Sequence, residues 1–429
     1  MLDKLQVSVL CERVIRNPES NLNALDKLDY SDELNGLAVA KVFASICPLY
    51  KIRIGSDKIK HKNADNAVEQ FDRQLLSSYN AFLIKTLKSK EAFSYKIASY
   101  LLEELDHFNF NDRLVMKVLL GLRVESVRKI CIGVLCSRIE EDNNGETIWL
   151  ILDHALDYGI DYEVLNALLK SKYLAKCVQI KHEKETKYEK KVYTKEKTKK
   201  DPFYNKKKLR GISKKEEKTR CKKEKETKAE EGEVLDGIDN KIYVRTRNAL
   251  QRIYFTILKE KKTKCIEAVC KGLCKYFTLV NREFYEGLLY LFTENLVTRC
   301  ESRRDVINNI EIVKTIYEVF KSQGIDFGKI SEYFLNMLEI DTQMHVTVEQ
   351  FDNEFVGVLR LIFLENRQQN GVVLKMLKKL VGLSICRYLP VVTGFIKEVE
   401  IKYDIDIKEH YKQTDCETNF AYFLMKSFP

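Results

Sequence analysis

Proline is scarce, with five in 429 residues at Pro18, Pro48, Pro202, Pro390 and Pro429. The pyrrolidine ring removes a backbone donor and clashes with the preceding turn, so its scarcity leaves helices free to run long. Glycines are few, and no glycine-rich phosphate loop or dinucleotide fingerprint is present. HExxH and GxSxG are absent as well, so the sequence offers no catalytic constellation and calls for no cofactor. None of the 12 cysteines falls in a CxxC pair and the six histidines are scattered singly, which argues against zinc. No run of about 18 apolar residues exists to cross a bilayer as a helix, so no membrane partner is expected. The opening MLDKLQVSVLCERVIRNPES lacks the basic start and apolar core of a secretory leader, and is expected to be part of the fold. Unpaired cysteines then point to a reducing compartment, cytosol or nucleus.

What the chain does have is apolar surface and one concentrated block of charge. A hydrophobic fraction of 45%, with 22 Tyr and 21 Phe in 50.2 kDa, is enough for two or three cores. The net charge of +10 is not spread evenly. Between Lys181 and Lys228 there are 21 Lys or Arg against 9 Asp or Glu, a net of +12, which leaves −2 on everything else.

Apolar residues recur at helical steps. In ESVRKICIGVLCSRIEE, the residues Val127, Ile130, Cys131, Val134, Leu135 and Ile139 lay one stripe along a helix. A helix is expected from about Ser31, as cap, to Ile46, stopped by Pro48. A second runs from about Ala64 to Leu87 with Val68, Phe71, Leu75, Leu76, Tyr79, Phe82 and Leu83 on one side, and a third from about Phe93 to Leu105. The pattern resumes after the basic block in NALQRIYFTILK, CIEAVCKGLCKYFTLV and NREFYEGLLYLFTENL, with Asn281 as an expected N-cap and Phe284 and Tyr285 entering the core. Cys265, Cys270 and Cys274, at helical spacing, read as small apolar residues facing a core. His107 in HFNF reads as a core histidine at a helix end. Helices joined by short turns predict an all-α fold, an irregular α-solenoid of HEAT or armadillo type. Its parts are expected at 1–178 and 236–429, joined by a basic connector at 179–235 that is either partly helical or disordered.

Two stretches carry a family resemblance. LAVAKVFASICPLYKIRI presents Pro48, Tyr50, Ile52 and Arg53, and FDRQLLSSYNAFLIKTL presents Phe71, Leu75, Leu76, Ser77 and Tyr79. HFNF, the lysine-rich connector ending in KAEEGE, and RIYFTILK with GLCKYFTLVNREFYEGLLYLF, including Asn281, Glu283 and Phe284, follow in order. This series resembles the nucleolar complex-associated protein 3 family, whose C-terminal part is a CCAAT-binding-factor-type domain. The chain is short beside typical members of that family. The resemblance implies a non-enzymatic scaffold for nucleolar assembly of the large (60S) ribosomal subunit. It also implies a second nucleolar complex protein of the type-2 kind, further assembly factors and pre-ribosomal RNA as partners.

The connector NKKKLRGISKKEEKTRCKKEKETK bears on that function directly. Its interleaved Glu216, Glu217, Glu224 and Glu226 favour a solvated helix through i to i+4 pairs. Against that, a net of +12 exceeds what pairing neutralises, and Phe203 and Tyr204 sit just before KKKLR, placed to stack on unpaired bases. Lys206, Lys207, Lys208, Arg210, Lys214, Lys215, Arg220, Lys222 and Lys223 are therefore the candidate RNA contacts. KKKLR also reads as a nuclear-import signal. Two other roles stay open: a chromatin or replication-origin factor that helps load the replicative helicase, which the family suggests, and a cargo-carrying solenoid.

Overall fold

The computed structural model describes residues 4–30, 32–53, 67–179, 234–235, 238–297, 302–320, 356–365, 369–377 and 389–405. The all-α expectation holds: among the described residues the only strands are a two-residue antiparallel pair, Val234–Leu235 with Ile238–Asp239. Contacts group the chain into two units, Met1–Ile253 and Tyr254–Pro429.

The first unit holds α1 (Lys4–Arg16), α2 (Pro18–Asn21), α3 (Glu33–Ile46), α4 (Ala67–Lys88), α5 (Ala92–Glu104), α6 (Asn111–Gly121), α7 (Glu125–Glu141), α8 (Glu146–Tyr158), α9 (Tyr162–Leu168) and α10 (172–179). Alternate helices pack on one another, α1 on α3, α3 on α5, α5 on α7, α7 on α9 and α6 on α8, and the sequence neighbours α5 and α6 pack together as closely. Helix α3 starts at Asp32, not Ser31. The Asp32 carboxylate accepts from the Asn35 N–H at 3.1 Å, at the positive end of the helix. Its end matches expectation, because Cys47 turns extended (ψ 135°) and Pro48 follows.

Helix α7 buries Val127, Cys131, Val134, Leu135 and Ile139 as the stripe requires, but Ile130 is 44% exposed and Ile132 is buried instead. The reason is that α7 touches α5, α6, α8 and α9, so its covered surface is broader than one stripe and lies to one side of Ile130. On α4, Leu75, Tyr79, Phe82 and Leu83 are fully buried, whereas Val68 in the first turn is exposed. Ahead of α8, Gly145 sits at φ 81° with the Tyr173 ring where a Cβ would be, so the turn needs glycine twice over.

Helix α11 (Asn240–Lys259) begins in the first unit, where the Arg245 guanidinium lies 4.8 Å above the Trp149 ring. It ends in the second unit. There α12 (Thr263–Tyr276) packs along α14 (Arg303–Phe320), with α13 (Tyr285–Asn295) against α14. Tyr254, Tyr276, Phe292, Tyr317 and Phe320 fill this core at under 2% exposure. Gly272 lets α12 come so close that an added Cβ would lie 2.2 Å from the Tyr254 hydroxyl. A π-helical turn, Arg360–Glu365, packs on α14 and on the last described helix, Leu389–Tyr403.

Candidate functional site

The N-terminal signature residues are spread over a loop and a helix, and a third segment ties them together. After α3 the chain continues as a loop through residues 48–53, bending at Leu49 and Tyr50. Here Ile52 is held at both backbone polar groups by one side chain: Asn109 Oδ1 accepts from the Ile52 N–H at 2.9 Å, and Asn109 Nδ2 donates to the Ile52 carbonyl at 3.0 Å. A primary amide offers an acceptor and two donors, so one side chain can satisfy both backbone groups of Ile52. Lys51 adds an ion pair to Glu146 on α8 at 2.5 Å, with both partners largely exposed.

Asn109 belongs to HFNF, the turn between α5 and α6, and the same turn supplies the packing. The Phe108 ring lies 5.5 Å and the Phe110 ring 6.3 Å from Tyr79 of α4, which also meets Phe43 of α3 at 5.2 Å. Phe110 adopts φ 68°, a left-handed conformation costly for an aromatic residue and sustained here by the surrounding contacts. The Arg113 guanidinium lies 4.9 Å over its ring. Sequence reading singled out His107 in this motif and missed Asn109. His107 is half-buried, with Nδ1 3.4 Å from the Asp106 carboxylate. The available signal was an Asn between two aromatics in a turn, which has no periodicity to read.

The junction divides the signature residues into two sets. Ile52, Leu75 and Tyr79 are buried, with Tyr79 at 0% exposure, and Pro48, Phe71 and Leu76 are half-buried. Burial raises the Tyr79 hydroxyl well above the usual phenol range, with the neighbouring Cys47 adding to it. Tyr50, Arg53 and Ser77 are exposed, with Leu49 beside them at 87%.

In the second unit, Asn281 does not precede the α-helix directly as expected. A 3-10 turn, Arg282–Phe284, comes first, and the Phe284 N–H donates to the Asn281 carbonyl at 3.1 Å. Helix α13 then starts at Tyr285. This extra turn rotates Phe284 outward, so it is 44% exposed rather than core, edge-on to Phe255 at 5.7 Å. Tyr285 is half-buried and stacks on Phe277 at 4.4 Å, and Glu283 is exposed. Cys265 and Cys270 face the core as read, and Cys274, half-buried, donates to Thr315 Oγ1 at 3.5 Å. Burial pushes the Cys274 thiol up to about 12 and leaves it protonated and unreactive at neutral pH. Among the described residues no group of three or more His, Cys, Asp or Glu is placed to hold a metal. All nine candidate RNA contacts, Lys206 to Lys223, lie outside the described residues.

Residues 2–82, which contain this loop and the Tyr79 anchor, match the family model described as "Nucleolar complex-associated protein". Over 367 residues the chain is 23% identical to "Nucleolar complex protein 3 homolog" of Homo sapiens, covering 75% of this chain and 44% of that protein. It is 25% identical over 382 residues to the Danio rerio homolog, covering 76% and 46%. "Nucleolar complex-associated protein 3" of Arabidopsis thaliana is 28% identical over 179 residues, 35% of this chain and 21% of that protein. The chain thus spans less than half the length of the curated relatives it matches. By its family-model match and by low-identity similarity along three-quarters of its length, the chain resembles the nucleolar complex-associated protein 3 family.

Proposed function

We propose that the chain is a non-enzymatic helical scaffold of the nucleolus, acting in assembly of the large (60S) ribosomal subunit and in maturation of pre-ribosomal RNA. The observation that carries this reading is the similarity to nucleolar complex protein 3 homologs along three-quarters of the chain. The partners are a second nucleolar complex protein of the type-2 kind and other large-subunit assembly factors. Two helical parts, 1–178 and 236–429, offer surfaces to these proteins. Packing of alternate helices in the first unit supports an irregular α-solenoid, because stacked pairs place each helix beside its next-but-one neighbour. The connector, 179–235, contacts RNA through its lysines, which meet phosphates without demanding one geometry.

Crosslinking the protein in cells and sequencing the recovered nucleic acid tests this reading. Pre-ribosomal RNA is expected. Origin DNA with little RNA would overturn it in favour of a replication-licensing role. In vitro, replacing Lys206, Lys207, Lys208 and Arg210 by Gln should flatten the salt dependence of RNA binding by about three units, at roughly 0.7–0.9 per phosphate contact, and equally for unrelated RNAs. Unchanged binding with loss of nuclear entry would make the stretch an import signal. If both persist, the stretch is a solvated helix.

A further inference from the structure

Helix α11 carries five cations, Lys241, Arg245, Arg247, Arg252 and Lys259, and has no Asp or Glu among its 20 residues. Ion pairs along a helix face need an acid three or four residues away, so none of these charges is neutralised from within α11. In the part of α11 that belongs to the first unit, Lys241, Arg245 and Arg252 follow at steps of four and seven, which sets them in one line with Asn248 between the arginines. All four are exposed, whereas Thr246, Ala249 and Leu250 are buried. At 1.5 Å of rise per residue the line is about 16 Å long. The Arg245 guanidinium lies 4.8 Å above the ring of Trp149 on α8, which is half-buried.

The chemistry of this face selects a phosphodiester strand. A guanidinium forks onto phosphate oxygens with two parallel hydrogen bonds, and lysine adds charge without fixing a geometry. A protein interface would need an apolar centre from which water is expelled. Among the described residues of α11 only Val244, at 39% exposure, is large, apolar and exposed. Arg245 also supplies a flat surface. With one side of its guanidinium against the Trp149 ring, the other side is a platform on which an unpaired base stacks. Charge for phosphates and a plane for a base are together what a single strand requires. We infer that Lys241, Arg245 and Arg252 form a docking strip for the backbone of a single nucleic-acid strand, with one base stacked on Arg245. That the strand is RNA rests on the nucleolar reading; the strip itself does not. It is distinct from the candidate contacts Lys206 to Lys223.

Trp149 is the one tryptophan of the chain, so its emission reports on this strip. The full chain is titrated with a single-stranded RNA of about 12 nucleotides, followed by Trp149 fluorescence and, with a dye-labelled copy of the RNA, by anisotropy. RNA should quench Trp149, and added salt should reverse the quenching. Lys241→Gln with Arg252→Gln alters two exposed positions and keeps the Arg245 and Trp149 pair, and circular dichroism checks that the fold is kept. This double variant should need roughly 10- to 30-fold more RNA for half-quenching at about 0.1 M salt, with a salt slope flatter by about 1.4 units at 0.7 per contact. The Gln variant at Lys206, Lys207, Lys208 and Arg210 should still be quenched. RNA bound by anisotropy with Trp149 emission unchanged, or a double variant with the parental slope, would overturn the strip and leave the connector reading standing. A poly-glutamate peptide that quenches Trp149 at the same concentration as RNA would also overturn it, in favour of an acidic protein segment. A DNA strand of the same sequence should quench as RNA does, because the contacts are to phosphate. Recovery of origin DNA from crosslinked cells would therefore end the nucleolar reading without touching the strip.

Discussion

Removing the Asn109 side chain is the sharpest probe of the junction. In Asn109→Ala both hydrogen bonds to Ile52 are lost, at 2.9 and 3.0 Å. A net worth of about 0.5–1.5 kcal/mol per bond would give about 1–3 kcal/mol for the pair. Asn109 is only half-buried, so water re-solvates the freed Ile52 groups, and about 1–2 kcal/mol is the expected loss. The Ile52 side chain, at 6% exposure, is anchored separately by burial worth about 1.5–3 kcal/mol. That exceeds the loss, so the loop loosens and stays docked. Urea titration should show the 1–2 kcal/mol decrease, with Tm lower by about 2–8 °C at about 2–4 °C per kcal/mol. Amide hydrogen exchange should be faster at Ile52 and unchanged at Phe82 and Phe108. Asn109→Asp should be no better than Ala, since it keeps the bond from the Ile52 N–H but turns a carboxylate oxygen on the Ile52 carbonyl. Lys51→Ala, which breaks only the exposed pair with Glu146, should cost under about 1 kcal/mol. If Asn109→Ala stays within 0.5 kcal/mol of the parent with Ile52 exchange unaltered, roughly the noise of such a comparison, the clamp is not what holds this loop.

Tyr79→Phe should leave stability unchanged or raise it by about 1 kcal/mol, because the buried Tyr79 hydroxyl has no hydrogen-bond partner and its removal ends a desolvation cost; a clear loss in urea titration would show an unseen partner. Gly272→Ala should cost about 1–3 kcal/mol by driving a Cβ onto Tyr254. Gly287→Ala, at an exposed position of α13 where nothing lies within 4 Å, should add up to about 1 kcal/mol, and the matched pair is read by Tm. Stability should also fall above about pH 9. Burial pushes the thiols of Cys177 and Cys274 up to about 12 and that of Cys136 to about 11, above their unfolded range. The contribution is thus complete below pH 9 and is lost as pH rises toward 11–12. Buried Cys177 should approach the limit of about 1.4 kcal/mol per pH unit, with less from half-buried Cys136 and Cys274. Urea titrations at pH 7.5, 9 and 10 in reductant check this, and a flat profile contradicts it.

Helices were legible because three- and four-residue spacing and the shortage of proline are local properties. Expected ends of α3 and α5 fall within a few residues of the observed ones, and Pro48 stops α3 where it was read to. What periodicity could not show are contacts between distant segments. The Asn109 clamp joins residues 57 apart, and the Asn295 amide donates to the Leu258 carbonyl 37 residues away. Ser31 and Asp32 are both good caps by type, and only geometry chooses Asp32. Phe284 looked like core because it is aromatic and next to Tyr285, but one 3-10 turn changes the face it occupies. Ile130 failed in the same way, since a stripe predicts one covered face and α7 has neighbours on several.

The split among the signature residues says where a partner is best sought. Ile52, Leu75 and Tyr79 fill space between helices, so packing explains them and they testify to the fold. Tyr50 at 55% exposure and the exposed Arg53 have no such explanation. They flank the one residue the Asn109 clamp immobilises, with Leu49 at 87% exposure next to them. A segment tied down at both backbone groups of Ile52 presents its neighbouring side chains at reduced entropic cost, and Tyr and Arg are among the types most often decisive at interfaces. The double substitution Tyr50→Ala with Arg53→Ala should therefore change folding stability by no more than about 0.5 kcal/mol, as exposed positions generally do. If the proposed partner, a second nucleolar complex protein, docks on this loop, the variant should nevertheless reduce its capture from nucleolar extract by tenfold or more, on the order of 1.4 kcal/mol or above. Capture of that protein at parental levels by a folded double variant would remove this loop from the interface and leave the remaining helical surfaces to carry it.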